Sequence, residues 1–131
     1  TAYAMNLGVT AEANGVSIVS GSRITVANAG TYNLQFSAQL EHGSGGGAGE
    51  TVNIWLSKNG TNVADSDTKV TVTSATKYVV PAWNFVLTVA ANDYVEIMWA
   101  TTSTALQLIY AGISSPHPAT PSVIATMNKI S

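Results

Sequence analysis

The 131-residue chain contains no cysteine. This absence excludes disulfide bonds, thiolate metal sites and a cysteine nucleophile. A chain of this length is expected to form one domain, residues 1–131, and to bury roughly two thirds of the surface that its unfolded form exposes. It begins at Thr1 rather than at methionine. We therefore expect a processed product, or the terminal or tip domain of a longer or multi-subunit assembly.

Charge is also scarce, since Asp, Glu, Lys and Arg make up 9% of the residues and the net charge is −2. An average soluble protein has about 25% charged residues. A surface with few charges costs little to desolvate, which favours an oligomer over the alternative of a monomer with a neutral polar surface. The basic residues are scattered at Arg23, Lys58, Lys69, Lys77 and Lys129. This distribution argues against nucleic acid as a partner.

Long apolar runs are missing as well. No stretch approaches the ~18 apolar residues that a membrane-spanning helix needs, so we expect no membrane insertion. The chain instead alternates apolar and polar residues, which predicts half-buried β-strands. The clearest run is 32–40, and similar runs occupy 52–56, 70–73 and 94–101. Helical spacing is absent and β-branched residues are dense, so the pattern predicts an all-β sandwich or barrel.

Turn residues separate these runs. Asn59-Gly60 stands between two extended segments and predicts a tight hairpin, because both central residues of such a turn need positive φ. Asn14-Gly15 and Asn92-Asp93 are further turn signals. The glycine-rich stretch Gly43 to Gly49 resembles a phosphate-binding loop, but a strand follows it where a phosphate loop requires a helix. We therefore predict a long, mobile loop that joins two strands.

Several of these segments resemble the tumour-necrosis-factor-like superfamily, especially the globular heads of complement component q. The family's G-x-Y-x-F motif is similar to Gly30 to Phe36, and its strand ending in Lys-Asn-Gly is similar to Val52 to Val63. Its L-x-L-x-x-G-D-x-V motif is similar to Leu87 to Ile97, with Asn92 in place of glycine. Ser122 to Ile130 matches the final strand, which returns to the domain centre. The absence of cysteine and the sequence Ala-Trp-Asn-Phe at 82–85 resemble bacteriophage fibre and virion domains.

This resemblance implies a two-sheet antiparallel jelly roll that assembles as a homotrimer. In the family, one sheet faces the threefold axis and contains the first strand, the G-x-Y-x-F strand, the strand before the G-D motif and the last strand. These correspond here to 2–9, 31–42, 78–89 and 121–130. The candidate trimer-interface residues are the polar side chains of the second segment, together with an outward-facing tryptophan: Asn33, Gln35, Ser37, Gln39 and Trp55.

Candidate ligand-binding residues lie in the predicted loops. Asp65 and Asp67 are two carboxylates in an extended segment, although a polar loop after the hairpin explains them as well as a metal or glycosidase site does. His42 stands beside the glycine loop and is expected to be solvent-exposed; three copies meeting on a threefold axis are the metal-binding alternative. Asn62 and Tyr110 complete the set. Tyr110 is the aromatic residue most expected to be exposed, and exposed aromatic rings are plausible sugar platforms.

These observations favour a non-enzymatic viral structural module. We expect no cofactor, metal or catalytic residue, because no convergent acid–base pair is visible. The expected partners are copies of the chain, other virion proteins, and a host cell-surface glycan or protein, at the virion surface or another extracellular location. A purely structural cap or capsid decoration is the main alternative. A secreted lectin-like module and a small jelly-roll hydrolase are weaker ones.

Overall fold

The computed structural model describes residues 1–43, 49–73 and 77–131. These ranges contain thirteen β-strands and no helix, and all strand pairs are antiparallel. The strands are β1 Tyr3–Ala4, β2 Val16–Val19, β3 Arg23–Val26, β4 Gly30–Ala38, β5 Leu40–His42, β6 Glu50–Lys58, β7 Thr61–Asn62, β8 Thr68–Val72, β9 Tyr78–Val79, β10 Ala82–Val89, β11 Tyr94–Thr101, β12 Leu106–Leu108 and β13 Val123–Lys129. The all-β prediction is confirmed for the described residues. Most of the predicted glycine loop, at 44–48, lies outside them.

The strands form three sheets. The larger sheet has seven strands in the order β2-β3-β11-β6-β7, with β1 paired to β11 and β8 paired to β6. The smaller sheet has the order β10-β4-β13, and a third sheet has the order β12-β5-β9. The run that was predicted as one strand at 32–40 is divided between β4 and β5. The chain therefore passes from the smaller sheet into the third sheet near Gln39.

The core lies between the larger and the smaller sheet. Leu34 of β4 and Ile54 of β6 are completely buried, and both belong to one apolar cluster with Leu56 and Ile97. The alternation read from the sequence places these side chains on the inner face of each strand, and the burial pattern confirms it. The arrangement is consistent with a β-sandwich.

Parts of three segments that the resemblance assigns to one sheet do share one, since β4, β10 and β13 form the smaller sheet. The ends of 31–42 and 78–89, which form β5 and β9, belong to the third sheet instead. The expectation for the first segment, 2–9, is wrong. Its strand β1 pairs with β11, with Tyr3 opposite Trp99, and so belongs to the larger sheet. Met5 continues this attachment, because its amide donates to the Ile97 carbonyl at 2.8 Å and its side chain is buried. As a consequence, β13 lies at an edge of the smaller sheet and β4 is its central strand.

The proline-rich segment at 115–121 folds back on itself, although its three prolines favour an extended chain. Ser114 and His117 exchange two backbone hydrogen bonds, and Ala111 pairs in the same way with Thr120. The segment then leads into β13.

Two turns at one end of the larger sheet hold each other. Asn59 and Gly60 have φ values of 50° and 85°, which confirms the predicted tight hairpin between β6 and β7. Asn59 Nδ2 donates to Asp93 Oδ1 at 2.8 Å, and the Tyr94 amide donates to Asn59 Oδ1 at 3.0 Å. The other Asp93 oxygen accepts the Ala90 amide at 2.8 Å. Asp93 therefore ties the hairpin to the turn between β10 and β11.

These hydrogen bonds make stability depend on pH. The bond from Asn59 and then the bond from the Ala90 amide lower the pKa of Asp93, because both favour its charged form. A carboxylate whose folded pKa is lowered stabilises the protein above its unfolded pKa, and this contribution disappears as the pH falls through the folded pKa. We expect Asp93→Asn to lower the free energy of unfolding at neutral pH and to weaken its loss below about pH 4. Urea titrations across this pH range measure both effects. Parallel pH profiles for the variant and the wild type would contradict this role.

Candidate functional site

The outer face of the smaller sheet contains most of the residues predicted for the trimer interface. We call it the amide face. The registers of β10 and β13 against β4 place eleven side chains on it: Thr31, Asn33, Gln35, Ser37, Ala82, Asn84, Val86, Thr88, Ile124, Thr126 and Asn128.

No charged side chain is present among these eleven residues, all of which are described. Gln39, the remaining member of the predicted set on this run, is half-buried between β4 and β5. Its backbone bonds to Ser122 and Ile109 rather than to the strands of the amide face.

Glu41 and Lys77 form an ion pair, with 3.9 Å between Oε1 and Nζ. Glu41 lies on β5 of the third sheet, and Lys77 directly precedes β9 of the same sheet. Lys129 ends β13 of the smaller sheet, but its register position opposite the inward-facing Tyr32 puts it out of phase with these eleven residues. The amide face itself is thus neutral.

Part of the polar groups on the amide face are already paired within the chain. Asn84 Nδ2 donates to Asn33 Oδ1 at 2.9 Å, and Asn33 Nδ2 donates in turn to Asn128 Oδ1 at 3.5 Å. The hydroxyls of Thr31 and Thr88 lie 3.2 Å apart. Such internal pairs lower the cost of removing these groups from water, because a covered amide is expensive mainly when it has no partner.

Exposed apolar side chains lie among these paired groups. Val86, near the centre of β10, is 60% exposed, and Ile124, near the start of β13, is 57% exposed. The amide face also has an open depression of about 380 Å³. Its lining includes Gln35, Ser37, Ile124 and Thr126. The amide face is therefore uneven, neutral and partly apolar, which suits contact with another protein surface.

The outer face of the larger sheet is different, because it is charged. Arg23 lies over the ring of Tyr94, with its guanidinium carbon 4.5 Å from the ring centroid. Glu96 accepts a hydrogen bond from the Ser22 hydroxyl at 2.6 Å. Lys69 is exposed at the register position opposite Asn53. Charge thus distinguishes the two outer faces of the molecule.

Trp55 belongs to this second face. It alternates with the buried Ile54 and Leu56, as predicted, and so points away from the core. It does not share a surface with Asn33, Gln35 or the rest of the amide face, although the sequence analysis grouped them together. Its indole Nε1 donates to Asn62 Oδ1 at 2.8 Å. The structure therefore places a predicted interface residue beside a predicted ligand-loop residue.

The loop from 63 to 67 joins the same surface. Ser66 is buried; its hydroxyl accepts the Leu56 amide at 3.0 Å and donates to the Val63 carbonyl at 2.8 Å. This anchor leaves Asp65 and Asp67 on either side, both exposed. Asp67 Oδ2 accepts a hydrogen bond from Asn53 Nδ2 at 2.6 Å. The polar loop expected after the hairpin is confirmed.

His42 is not the exposed loop residue that was expected. It is only 2% exposed and lies on β5, opposite Leu106 of β12. Its Nδ1 lies 2.9 Å from the Gly43 carbonyl oxygen, and its Nε2 has no hydrogen-bond partner among the described residues. His42 is two residues after the buried Leu40, so both side chains point to the inner side of β5. In the sequence, the glycines after His42 indicated a loop and hid this alternation. Such burial leaves it no surface on which to meet copies of itself.

Tyr110 is 69% exposed, which confirms that prediction. It lies far along the chain from the other ligand-loop candidates, and no hydrogen bond or ring contact among the described residues joins it to them. His117 is exposed, and its Nδ1 lies 2.9 Å from the Pro118 carbonyl oxygen.

The described residues contain no group of three His, Asp or Glu side chains placed to hold a metal ion. The part of the chain that the structure describes also contains no helix that is long and apolar enough to cross a membrane.

Sequence reasoning missed Asn84, Thr126 and Asn128 on the amide face, and Asn53 and Ser66 near Trp55. Alternation within β10, β13 and β6 is the signal that could have found all of them except Ser66, which lies in the loop after β7. Compared with known protein families and with curated proteins, the chain matches none.

The Ser66 anchor can be tested by removing one hydroxyl. Ser66→Ala leaves the Leu56 amide and the Val63 carbonyl without their partner, and leaving a buried polar group unpaired costs about 1–3 kcal/mol. We expect the free energy of unfolding, measured by urea titration, to fall by this amount. Ser17→Ala, at an exposed position of β2, is the matched control and should change it little. Equal stabilities for the two variants would show that Ser66 does not anchor the loop.

Proposed function

We propose that the chain is a non-enzymatic structural module of a bacteriophage virion, a fibre-tip or virion-surface domain that assembles as a trimer and displays its loops for attachment to a host cell. The proposal combines a jelly roll, in which the amide face surrounds the threefold axis, with the larger sheet and its hairpins on the outside. The observation on which it rests is the neutral amide face.

Self-association through the amide face is supported by its chemistry. Copies of a charged surface repel one another around a symmetry axis, whereas this surface contains no charge to oppose contact. Val86 and Ile124 would bury apolar area, and the paired amides of Asn33, Asn84 and Asn128 would enter the interface with partners already in place. The side chain of Gln35 has no hydrogen bond to another described residue, so it is available to bond across the interface.

The threefold state and the virion setting rest on the sequence resemblance. Support comes from the sheet that this resemblance assigns to the axis, because parts of three of its four segments form β4, β10 and β13. Their shared outer face is the amide face. The first segment pairs with β11 instead of joining this sheet. As a result, one edge of β13 has no neighbouring strand among the described residues.

Display of loops is supported by the position of the exposed polar segments. Asn62, Asp65 and Asp67 belong to the larger sheet and its connections, away from the amide face. A trimer built on the amide face would leave them accessible in three copies. Threefold presentation raises the apparent affinity of a weak single site, because the second and third contacts form at high effective concentration.

The assembly is tested by measuring molar mass with light scattering on a sizing column. The wild-type protein is expected at three times the 13.5 kDa chain mass. Thr126→Lys places a cation on the amide face, halfway along β13, and repulsion between copies should shift the mass toward that of one chain. Thr71→Lys is the matched control, because Thr71 is an exposed strand residue on the larger sheet. It should remain a trimer.

Two results would contradict the proposed assembly. The first is a wild-type mass of one chain. The second is a trimer that withstands Thr126→Lys but dissociates with Thr71→Lys, which would move the interface to the other sheet.

A further inference from the structure

The outer face of the larger sheet contains a cluster that the proposed trimer interface does not use. We call it the Trp55 surface, and it consists of Trp55, Asn53, Asn62, Asp67 and Met98. Met98 of β11 lies directly opposite Trp55 of β6 in the strand register, and Asn53 is two residues away on the same face. An aromatic ring, two amides and a carboxylate thus lie on one side of the sheet.

The Trp55 ring is held against the sheet. Its side chain points away from the core, yet it is only partly exposed. An outward-facing ring can be covered in this way only by lying against neighbouring groups. The bond from its Nε1 to Asn62 Oδ1, 2.8 Å long, occupies its one polar group. What the indole still offers to solvent is therefore its apolar carbon surface.

The polar groups around the ring have bonding capacity left. Asp67 uses Oδ2 to accept the bond from Asn53 Nδ2. Within the described residues no hydrogen bond occupies Asp67 Oδ1, Asn53 Oδ1 or Asn62 Nδ2. Two acceptors and one donor group therefore remain available beside the ring.

These groups are positioned before any ligand arrives. The Ser66 hydroxyl bridges Leu56 to Val63 and holds the loop that presents Asp67. The tight turn at Asn59-Gly60 places β7, and with it Asn62, beside β6. Positioning of this kind lowers the entropy cost of binding.

We propose that the Trp55 surface binds a neutral pyranose sugar. One face of the sugar, made of C–H groups, packs on the indole ring, and its hydroxyls donate to Asp67 and Asn53 and accept from Asn62. Hydroxyl donors bond strongly to a carboxylate such as that of Asp67. The inference deepens the proposed display function and rests on it, because it assigns the attachment ligand to a chemical class and a place.

The probes are three simple sugars: methyl β-D-glucopyranoside, methyl β-D-galactopyranoside and N-acetyl-D-glucosamine. Each is titrated into the ¹⁵N-labelled protein while NMR follows the three indole N–H signals. Trp55→Phe identifies which of these signals belongs to Trp55. We expect at least one sugar to move the Trp55 signal to saturation and to leave those of Trp83 and Trp99 unchanged.

Two variants test the assigned contacts. Asp67→Asn keeps the shape of the side chain but loses its charge, and the loss of a charged hydrogen bond should raise the Kd about tenfold or more. Trp55→Ala should abolish binding. Tyr78→Ala removes an exposed aromatic ring on β9 of the third sheet and serves as the control, with an unchanged Kd. The proposal is overturned if none of the three sugars moves the Trp55 signal, or if binding is the same in Asp67→Asn and the wild type.

Failure of the sugar site can be told apart from failure of the trimer. The Trp55 surface lies within one chain, so its Kd for a monosaccharide should be the same in the Thr126→Lys variant as in the wild type. Sugar binding by a wild-type protein that is monomeric would refute the assembly alone. A wild-type trimer that binds none of the sugars would refute the Trp55 surface alone.

Discussion

Packing between the inner faces of the two main sheets is the constraint on which the rest of the structure depends. With no cysteine, no helix among the described residues and few charges, stability must come from apolar side chains buried at every second position. Leu34 and Ile54 are completely inaccessible to solvent, and each is flanked by residues that must point outward. The strand period therefore determines both the core and the composition of the two outer faces.

The two outer faces differ in the groups that they expose to solvent. On the larger sheet, Arg23, Glu96 and Lys69 provide charge, while Trp55 is partly covered and has its nitrogen bonded to Asn62. On the smaller sheet, amides and hydroxyls bond to one another and leave Val86 and Ile124 exposed between them. A neutral surface of this kind favours association, and a surface with free acceptors beside an aromatic ring favours a polar ligand with an apolar side. This difference is the reason why we propose association through the smaller sheet and ligand binding on the larger sheet.

Much of the local structure could be predicted because it depends on neighbouring residues in the chain. Alternation predicted which side chains of β4 and β6 are buried, and Asn59-Gly60 predicted the hairpin, since a tight turn requires residues that tolerate positive φ. His42 was misjudged because the glycines after it suggested a loop, although it continues the inward phase of Leu40. For the candidate site, the sequence indicated Trp55, Asn62 and Asp67 as separate residues with different roles.

The strand class, the inward and outward positions within the longer strands such as β4 and β6, and the absence of charge from what became the amide face all follow from the sequence alone. The tertiary structure alone decided which strands pair. It placed β1 on β11 rather than beside β13, and it brought Asn53, Asn62 and Asp67 around Trp55. The physical reason is that a period of two identifies the buried face of a strand but is equally satisfied by many partners. The choice among partners is made by long-range packing and backbone hydrogen bonds that no short stretch contains.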